Sequence, residues 1–177
     1  MFKNFLHLFA FVICISLLAI WQISAVFVWP GFLSEFNLIP IVIVSLLFFY
    51  NVKEALLASL IFGFFLDLFS FSFFGLESLT LIISLFLIYR ISISWLTNRS
   101  IYSFLIINLL FILFYSLVSS LLLYFSYFEI SSFFLWQKYF WYSLSFRLLW
   151  SLIISLTCFT PLATATKSLR PVFLDKK

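Results

Sequence analysis

The chain has 177 residues, of which 66% are hydrophobic and 9% are charged, and its mean hydropathy is +1.25. A soluble globular domain carries nearer a quarter charged residues, so this composition excludes a water-soluble fold. Six membrane crossings of about 20 residues each would use roughly 120 residues and leave only short connectors. The composition therefore predicts an all-α, polytopic integral membrane protein with a single transmembrane domain.

The net charge of +4 does not point to nucleic acid, because the basic residues punctuate apolar runs and form no continuous stripe. The two cysteines, Cys14 and Cys158, lie far apart within apolar runs, and His7 is the one histidine. These residues are too few and too scattered for a metal site or a disulfide framework. Both cysteines are predicted to be small packing residues.

Six apolar runs follow one another, and each predicts one transmembrane helix: 5–29, 38–50, 55–70, 75–89, 101–127 and 139–162. The second run is short, and its start is marked by Asn37, which can cap free amides, and by Pro40, which a first helical turn tolerates. The third and fourth runs are separated by FSFSFFG, without a charge run. A tight outer turn and a shallow re-entrant bend both remain open at that boundary.

The orientation of the chain follows from its basic residues, because loops rich in lysine and arginine stay in the cytoplasm. With the N-terminus inside, only Lys138 falls in an outer loop. Eight basic residues then lie on the cytoplasmic side: Lys3, Lys53, Arg90, Arg99, Lys167, Arg170, Lys176 and Lys177. This distribution predicts that both termini are cytoplasmic.

Two helices carry small or polar residues at four-residue spacing, which places them near one helix face. The stripe on the third helix consists of Ala55, Ser59, Gly63 and Asp67. The stripe on the sixth helix consists of Ser143, Arg147, Ser151 and Ser155. Small side chains allow two helices to approach closely in a membrane, so both stripes are predicted to face protein.

The depths of Asp67 and Arg147 predict an ion pair. At ~1.5 Å per residue from Lys53, Asp67 lies about 9 Å from the outer boundary of a ~30 Å hydrocarbon core. Counting ~1.5 Å per residue from Lys138 places Arg147 about 14 Å below the same boundary. In the alternative, Arg147 extends outward to Glu77, Glu129 or a lipid headgroup.

Other polar positions support no catalytic role. Asn108, Tyr115 and Ser119 share a face of the fifth helix, which indicates an interhelical hydrogen-bond seam or, as the alternative, the lining of a ligand site. The aromatic stretch 128–142 fits an interfacial belt or a helix lying flat on the membrane. No phosphate-binding glycine loop, zinc-protease motif or nucleophile elbow is present, so no enzymatic activity is predicted.

The segment 63–99 resembles the rod-shape-determining MreD family. That family has a glycine, an aspartate four residues later, a leucine, a serine and a second glycine, leading into a long apolar helix. The matching residues here are Gly63, Asp67, Leu68, Ser70 and Gly75. The chain differs from the family pattern at Phe71, where glycine is usual, and at Phe73 and Phe74, where Pro-Leu is frequent.

The resemblance implies a non-enzymatic subunit of the bacterial cell-elongation machinery, in the inner membrane. Its implied partners are an MreC-like single-span protein, RodA-like and transpeptidase wall synthases, and the actin homologue MreB, with membrane lipids around it and a homo-oligomer left open. It also implies a helix arrangement similar to the substrate-binding subunit of energy-coupling-factor transporters, so a vitamin-binding or small-solute uptake subunit is the alternative function. No cofactor, metal or catalytic residue is expected. The predicted structural or partner-binding residues are Ser59, Gly63, Asp67, Ser70, Gly75, Arg147 and Ser151.

Overall fold

The computed structural model describes residues 2–28, 37–69, 73–95, 101–127 and 133–165, and these residues form six α-helices. The helices are α1 (Phe2–Val28), α2 (Ile39–Phe49), α3 (Val52–Phe69), α4 (Leu76–Trp95), α5 (Ile101–Tyr127) and α6 (Phe133–Ala165). Each helix coincides with one of the six apolar runs, so the predicted all-α, multi-helix membrane architecture is confirmed at this level.

Four helices in the described part of the chain are long and apolar enough to cross a membrane. Their apolar stretches are Phe9–Val26, Leu76–Ile93, Ile101–Leu122 and Phe140–Thr157. At ~1.5 Å per residue, α2 is about 16 Å long, roughly half of a ~30 Å hydrocarbon core. The remaining helix, α3, has 18 residues and carries three charged side chains, Lys53, Glu54 and Asp67. The sequence predicts six crossings. Helices α2 and α3 are the two predicted crossings that do not belong to this group of four.

The short helix α2 is the centre of the fold. Helix α1 packs against α3, α3 against α4, α4 against α5, and α5 against α6. Helix α2 lies inside this arc and packs against α3, α5 and α6. Nine of its 11 residues are buried. At its end Phe48 and Phe49 meet Phe104 of α5, with ring centroids 5.5 and 5.8 Å from that of Phe104. Because protein surrounds α2, it does not need to be as long as a lipid-facing helix.

The start of α2 is held partly by another helix. Pro40 lies in its first turn, and the side-chain oxygen of Asn37 accepts the N–H of Ile39 at 3.0 Å, as the sequence predicted. In addition, Gln22 of α1, which is buried, accepts the N–H of Leu38 at 3.0 Å. The first N–H groups of a helix have no partner within the helix, and in a membrane they cannot turn to water. Gln22 and Asn37 supply the missing acceptors.

Two helices, α4 and α6, each extend six residues beyond a predicted end. Helix α4 continues to Trp95 past Arg90, whose exposed guanidinium lies 5.9 Å from the ring centroid of Phe86, one turn earlier. Helix α6 begins at Phe133, so the described part of the aromatic stretch 128–142 forms the first turns of α6 and no separate flat helix. A charged residue with a long stem need not end a membrane helix, because its stem can lie along apolar side chains, as that of Arg90 does beside Phe86.

Candidate functional site

The carboxylate of Asp67 caps the neighbouring helix α4. Asp67 lies in the last turn of α3 and is 4% exposed. Its two oxygens accept the N–H of Glu77 at 2.8 Å, the N–H of Ser78 at 3.2 Å and the hydroxyl of Ser78. These N–H groups belong to the first turn of α4, where a helix has unpaired donors and the positive end of its dipole. A negative charge therefore binds this helix start with both hydrogen bonds and favourable electrostatics.

Gly75 immediately precedes α4 and leaves the capping role to Asp67. Its φ is +93°, a backbone conformation that other residues rarely adopt, whereas a Cβ at this position would meet nothing within 4 Å. Glycine is therefore needed here for its backbone and not for space. A residue at this position normally caps the helix with its own side chain. Glycine has none, so the acceptor comes from α3.

The remaining early N–H groups of α4 are bonded to nearby carbonyls. The N–H of Leu76 reaches the carbonyl of Phe73 at 3.2 Å, and that of Leu79 reaches the carbonyl of Gly75 at 3.0 Å. Together with the two bonds to Asp67, every N–H from Leu76 to Leu79 has an acceptor. The start of α4 is thus fully bonded within the protein.

Gly63 allows α3 to approach α4 closely at the same place. A Cβ on Gly63 would collide with the Cα of Ser78 and would lie 2.9 Å from its Cβ and Oγ. Because glycine has no side chain, the two backbones can approach closely here, as small residues allow between membrane helices. Gly63, Asp67 and Gly75 therefore serve one structure, the junction of α3 with the first turn of α4. We call these two helices the α3–α4 hairpin.

Glu77 connects the α3–α4 hairpin to polar residues of α5 and α6. The hydroxyl of Tyr115 on α5, which is buried, donates to the carboxylate of Glu77 at 2.8 Å. Asp67 and the half-buried Arg147 of α6 both interact electrostatically with the carboxylate of Glu77. Asp67, Glu77, Tyr115 and Arg147, which we call the polar cluster, thus join four helices. The direct contact of Asp67 with Arg147 stays a prediction.

Ser78, Glu77 and Tyr115 are the members of this region whose partnerships the sequence did not reveal. The sequence named Glu77 only as one alternative partner of Arg147, and it placed Tyr115 in a seam without a named partner. The only available signal was weak: a serine and a glutamate in the first turn after Gly75. Such residues are common at helix starts and do not indicate a partner on another helix.

Three serines of the two stripes, Ser59, Ser151 and Ser155, are buried and bonded to their own helices. Ser59 donates to the carbonyl of Leu56 at 2.8 Å. On α6, Ser151 and Ser155 donate to carbonyls three residues earlier, at 3.2 and 3.1 Å. Among the other predicted positions, Leu68 is exposed and Ser70 lies outside the described residues. These serines provide close packing, and their hydroxyl hydrogens are already engaged.

One buried amide stands apart from the polar cluster. Asn108 of α5 is 1% exposed, and neither its amide nitrogen nor its amide oxygen has a hydrogen-bond partner among the described residues. The same holds for the hydroxyl of Ser116, two turns later on α5. The predicted α5 seam is therefore divided: Tyr115 bonds to Glu77, whereas Asn108 is left without a partner in the part of the chain described here.

Comparison with known proteins places the chain in a family. Residues 5–169 match the family described as rod shape-determining protein MreD. No curated protein and no solved structure matches the chain, so the expected likeness to energy-coupling-factor transporter subunits stays a prediction. The match spans all six helices and includes the α3–α4 hairpin. This multi-pass membrane protein therefore belongs to the MreD family of rod shape-determining proteins.

Proposed function

We propose that this protein is a non-enzymatic scaffold of the cell-elongation complex that synthesises peptidoglycan in the cytoplasmic membrane. Family membership supports the role in rod shape. The observation that carries the proposal is the hydrogen bonding of Asp67, because both of its carboxylate oxygens accept N–H groups from the first turn of α4. A carboxylate engaged in this way stabilises a helix junction and is poorly placed to act as a general base.

We assign partner binding to the helix faces that are exposed at the surface of the protein. On α1, the large apolar side chains of Phe9, Leu17 and Trp21 are 47 to 63% exposed. Such faces offer van der Waals contact to another membrane helix as readily as to lipid. We propose that they receive an MreC-like single-span protein and the RodA-like and transpeptidase wall synthases, with MreB associated on the cytoplasmic side.

Depletion of the protein tests this function. Cells that lack it are expected to lose rod shape and become round, because wall synthesis is no longer directed along the cell axis. Phase-contrast measurement of cell length and width during depletion reads the outcome. Complementation with the wild-type gene is the control, and cells that keep their normal shape through complete depletion would rule the scaffold out.

A specific observation favours one alternative, a membrane subunit that binds a vitamin or another small solute. The unpartnered amide of Asn108 and hydroxyl of Ser116 are the kind of polar groups that a ligand site requires. Complementation of the depleted cells with Asn108→Leu separates the two functions. Under the scaffold proposal this variant restores rod shape, since removing an unbonded buried amide is neutral or stabilising. Under the alternative, depleted cells keep their normal shape but lose uptake of the solute, and Asn108→Leu fails to restore that uptake.

We further propose that α2 and α3 complete six crossings and that both termini are cytoplasmic. The basic residues described above support this orientation, since eight would lie inside and Lys138 outside. Cysteines substituted at Ser168 and Ser132 test it in intact cells with a membrane-impermeant thiol reagent. Labelling is expected at Ser132→Cys and not at Ser168→Cys. The reverse pattern would overturn the orientation.

A further inference from the structure

We infer that a water molecule binds in the core of the protein, between Asn108 of α5, Ser84 of α4 and Ser45 of α2. All three residues are buried, and the amide of Asn108 has no hydrogen-bond partner among the described residues. A bound water supplies the hydrogen bonds that this amide lacks. The inference goes beyond the scaffold function and does not depend on it, because it rests on helix packing and hydrogen bonding alone.

The contact between Glu77 and Tyr115 places Ser84 opposite Asn108. Helices α4 and α5 are joined by a short connection and pack against each other, so they run antiparallel. Ser84 follows Glu77 by seven residues, and Asn108 precedes Tyr115 by seven. Seven residues are two helical turns and return within about 20° to the same face. The two polar side chains therefore face each other, about 10 Å further along the interface at ~1.5 Å per residue.

A contact between two phenylalanines places Ser45 at the same level. The ring centroids of Phe49 in α2 and Phe104 in α5 are 5.8 Å apart. Short connections and packing link α2 to α3, α3 to α4 and α4 to α5, so α2 and α5 also run antiparallel. Ser45 lies one turn before Phe49, and Asn108 lies one turn after Phe104. Ser45 and Ser84 thus approach Asn108 from two different helices.

The hydrogen-bonding groups of these residues match those of water. The hydroxyl of Ser45 donates to the carbonyl of Ile41 at 2.6 Å. The hydroxyl of Ser84 donates to the carbonyl of Thr80 at 2.7 Å. Both serine oxygens keep lone pairs that can accept, and the amide of Asn108 offers donors and an acceptor. One water can accept from the amide and donate to both serines, and buried waters typically make about three hydrogen bonds.

The length of the side chains favours a bridge over a direct bond. Glu77 and Tyr115 are long and meet directly, at 2.8 Å, whereas serine and asparagine are short and do not bond to each other across the same interface. Polar groups that face each other without a direct bond are commonly bridged by water. The side chains of the site are uncharged, so it suits a neutral molecule. A water here also accounts for the amide that otherwise favours the solute-binding alternative.

Solid-state NMR of the full chain tests the water site. The protein is labelled with nitrogen-15 in its asparagine residues and reconstituted in vesicles of phosphatidylethanolamine and phosphatidylglycerol. Transfer of magnetisation from water protons at short mixing times shows which side-chain amides contact water. The signal that is missing from Asn108→Leu identifies the amide of Asn108. A water cross-peak is expected at this amide, and its absence from the wild-type spectrum would overturn the inference.

A double variant tests whether the two serines hold the water. Ser45→Ala with Ser84→Ala removes both acceptors without adding volume, so the cross-peak is expected to be lost. Ser92→Ala is the matched control, because Ser92 is a buried serine of α4 that lies eight residues beyond Ser84 and bonds within its own helix. This control should keep the cross-peak. A cross-peak that survives in the double variant, or that is lost equally in Ser92→Ala, would contradict a water held by Ser45, Ser84 and Asn108.

Discussion

Replacement of Asp67 by alanine is expected to cause the largest loss of stability of any single substitution in the polar cluster. The variant leaves the N–H groups of Glu77 and Ser78 without acceptors at a buried position, where no water replaces the carboxylate. Hydrogen bonds to a charged group contribute about 1.5–3 kcal/mol each, so we expect a cost of roughly 3 kcal/mol or more. The midpoint of thermal unfolding in detergent, followed by size-exclusion chromatography, measures it.

Three further variants identify the cause of that loss. Ser59→Ala is the matched control, because Ser59 is buried on the same stripe but bonds only within α3, and it should behave like wild type. Asp67→Asn keeps one oxygen acceptor and should fall between wild type and Asp67→Ala. The charge-swapped variant, Asp67→Arg with Arg147→Asp, should remain impaired, because an arginine cannot accept N–H bonds. Recovery in the swapped variant would show instead that an ion pair with Arg147 is the main role of Asp67.

Gly63→Ala is expected to separate α3 from α4. The added methyl group collides with the Cα of Ser78, and backbone cannot rotate away as a side chain can. Overpacking of this kind costs about 1–3 kcal/mol, to which the weakened bonds between Asp67 and Ser78 are added. The expected result is a lower unfolding midpoint and a lower yield of folded protein in mild detergent.

Gly75→Ala is the same chemical change at a place with open space, so it isolates the effect of crowding. Its only cost is the positive φ, about 1–2 kcal/mol for a residue with a Cβ. We therefore expect Gly63→Ala to be the more damaging of the two. The double variant Gly63→Ala with Ser78→Gly should not recover, since the Cα of residue 78 remains. A full recovery would contradict a backbone clash.

The number and position of the helices could be predicted from the apolar runs, because in a membrane chain a long apolar run leaves few alternatives to a helix. The helix ends follow less directly from the sequence: the apolar run predicts an end before Arg90, whereas α4 passes Arg90 and continues to Trp95. The start of α2 was predictable from Asn37 and Pro40, whose effects are local. The contribution of Gln22 to that start was not, because it comes from 16 residues away.

The importance of Asp67 was predictable, but its partners were not. Depth along a helix follows from counting residues, so Asp67 and Arg147 could be placed at similar levels. Rotation about the helix axis and distance between helices do not follow from counting. They depend here on the contact of Gly63 with Ser78, which brings the α4 N–H groups within reach of the carboxylate. Tyr115 and Glu77 are 38 residues apart and meet only once α4 and α5 have packed.

The two helix starts inside the protein are both completed by the preceding helix: Gln22 of α1 bonds to the start of α2, and Asp67 of α3 bonds to the start of α4. Each acceptor is synthesised before the donors it will bind. When the start of α2 or α4 leaves the ribosome, the residue that receives its first N–H groups has therefore already left it. The start of α2 needs an acceptor only from α1, and the start of α4 needs one only from α3, so neither start has to wait for the C-terminal helices.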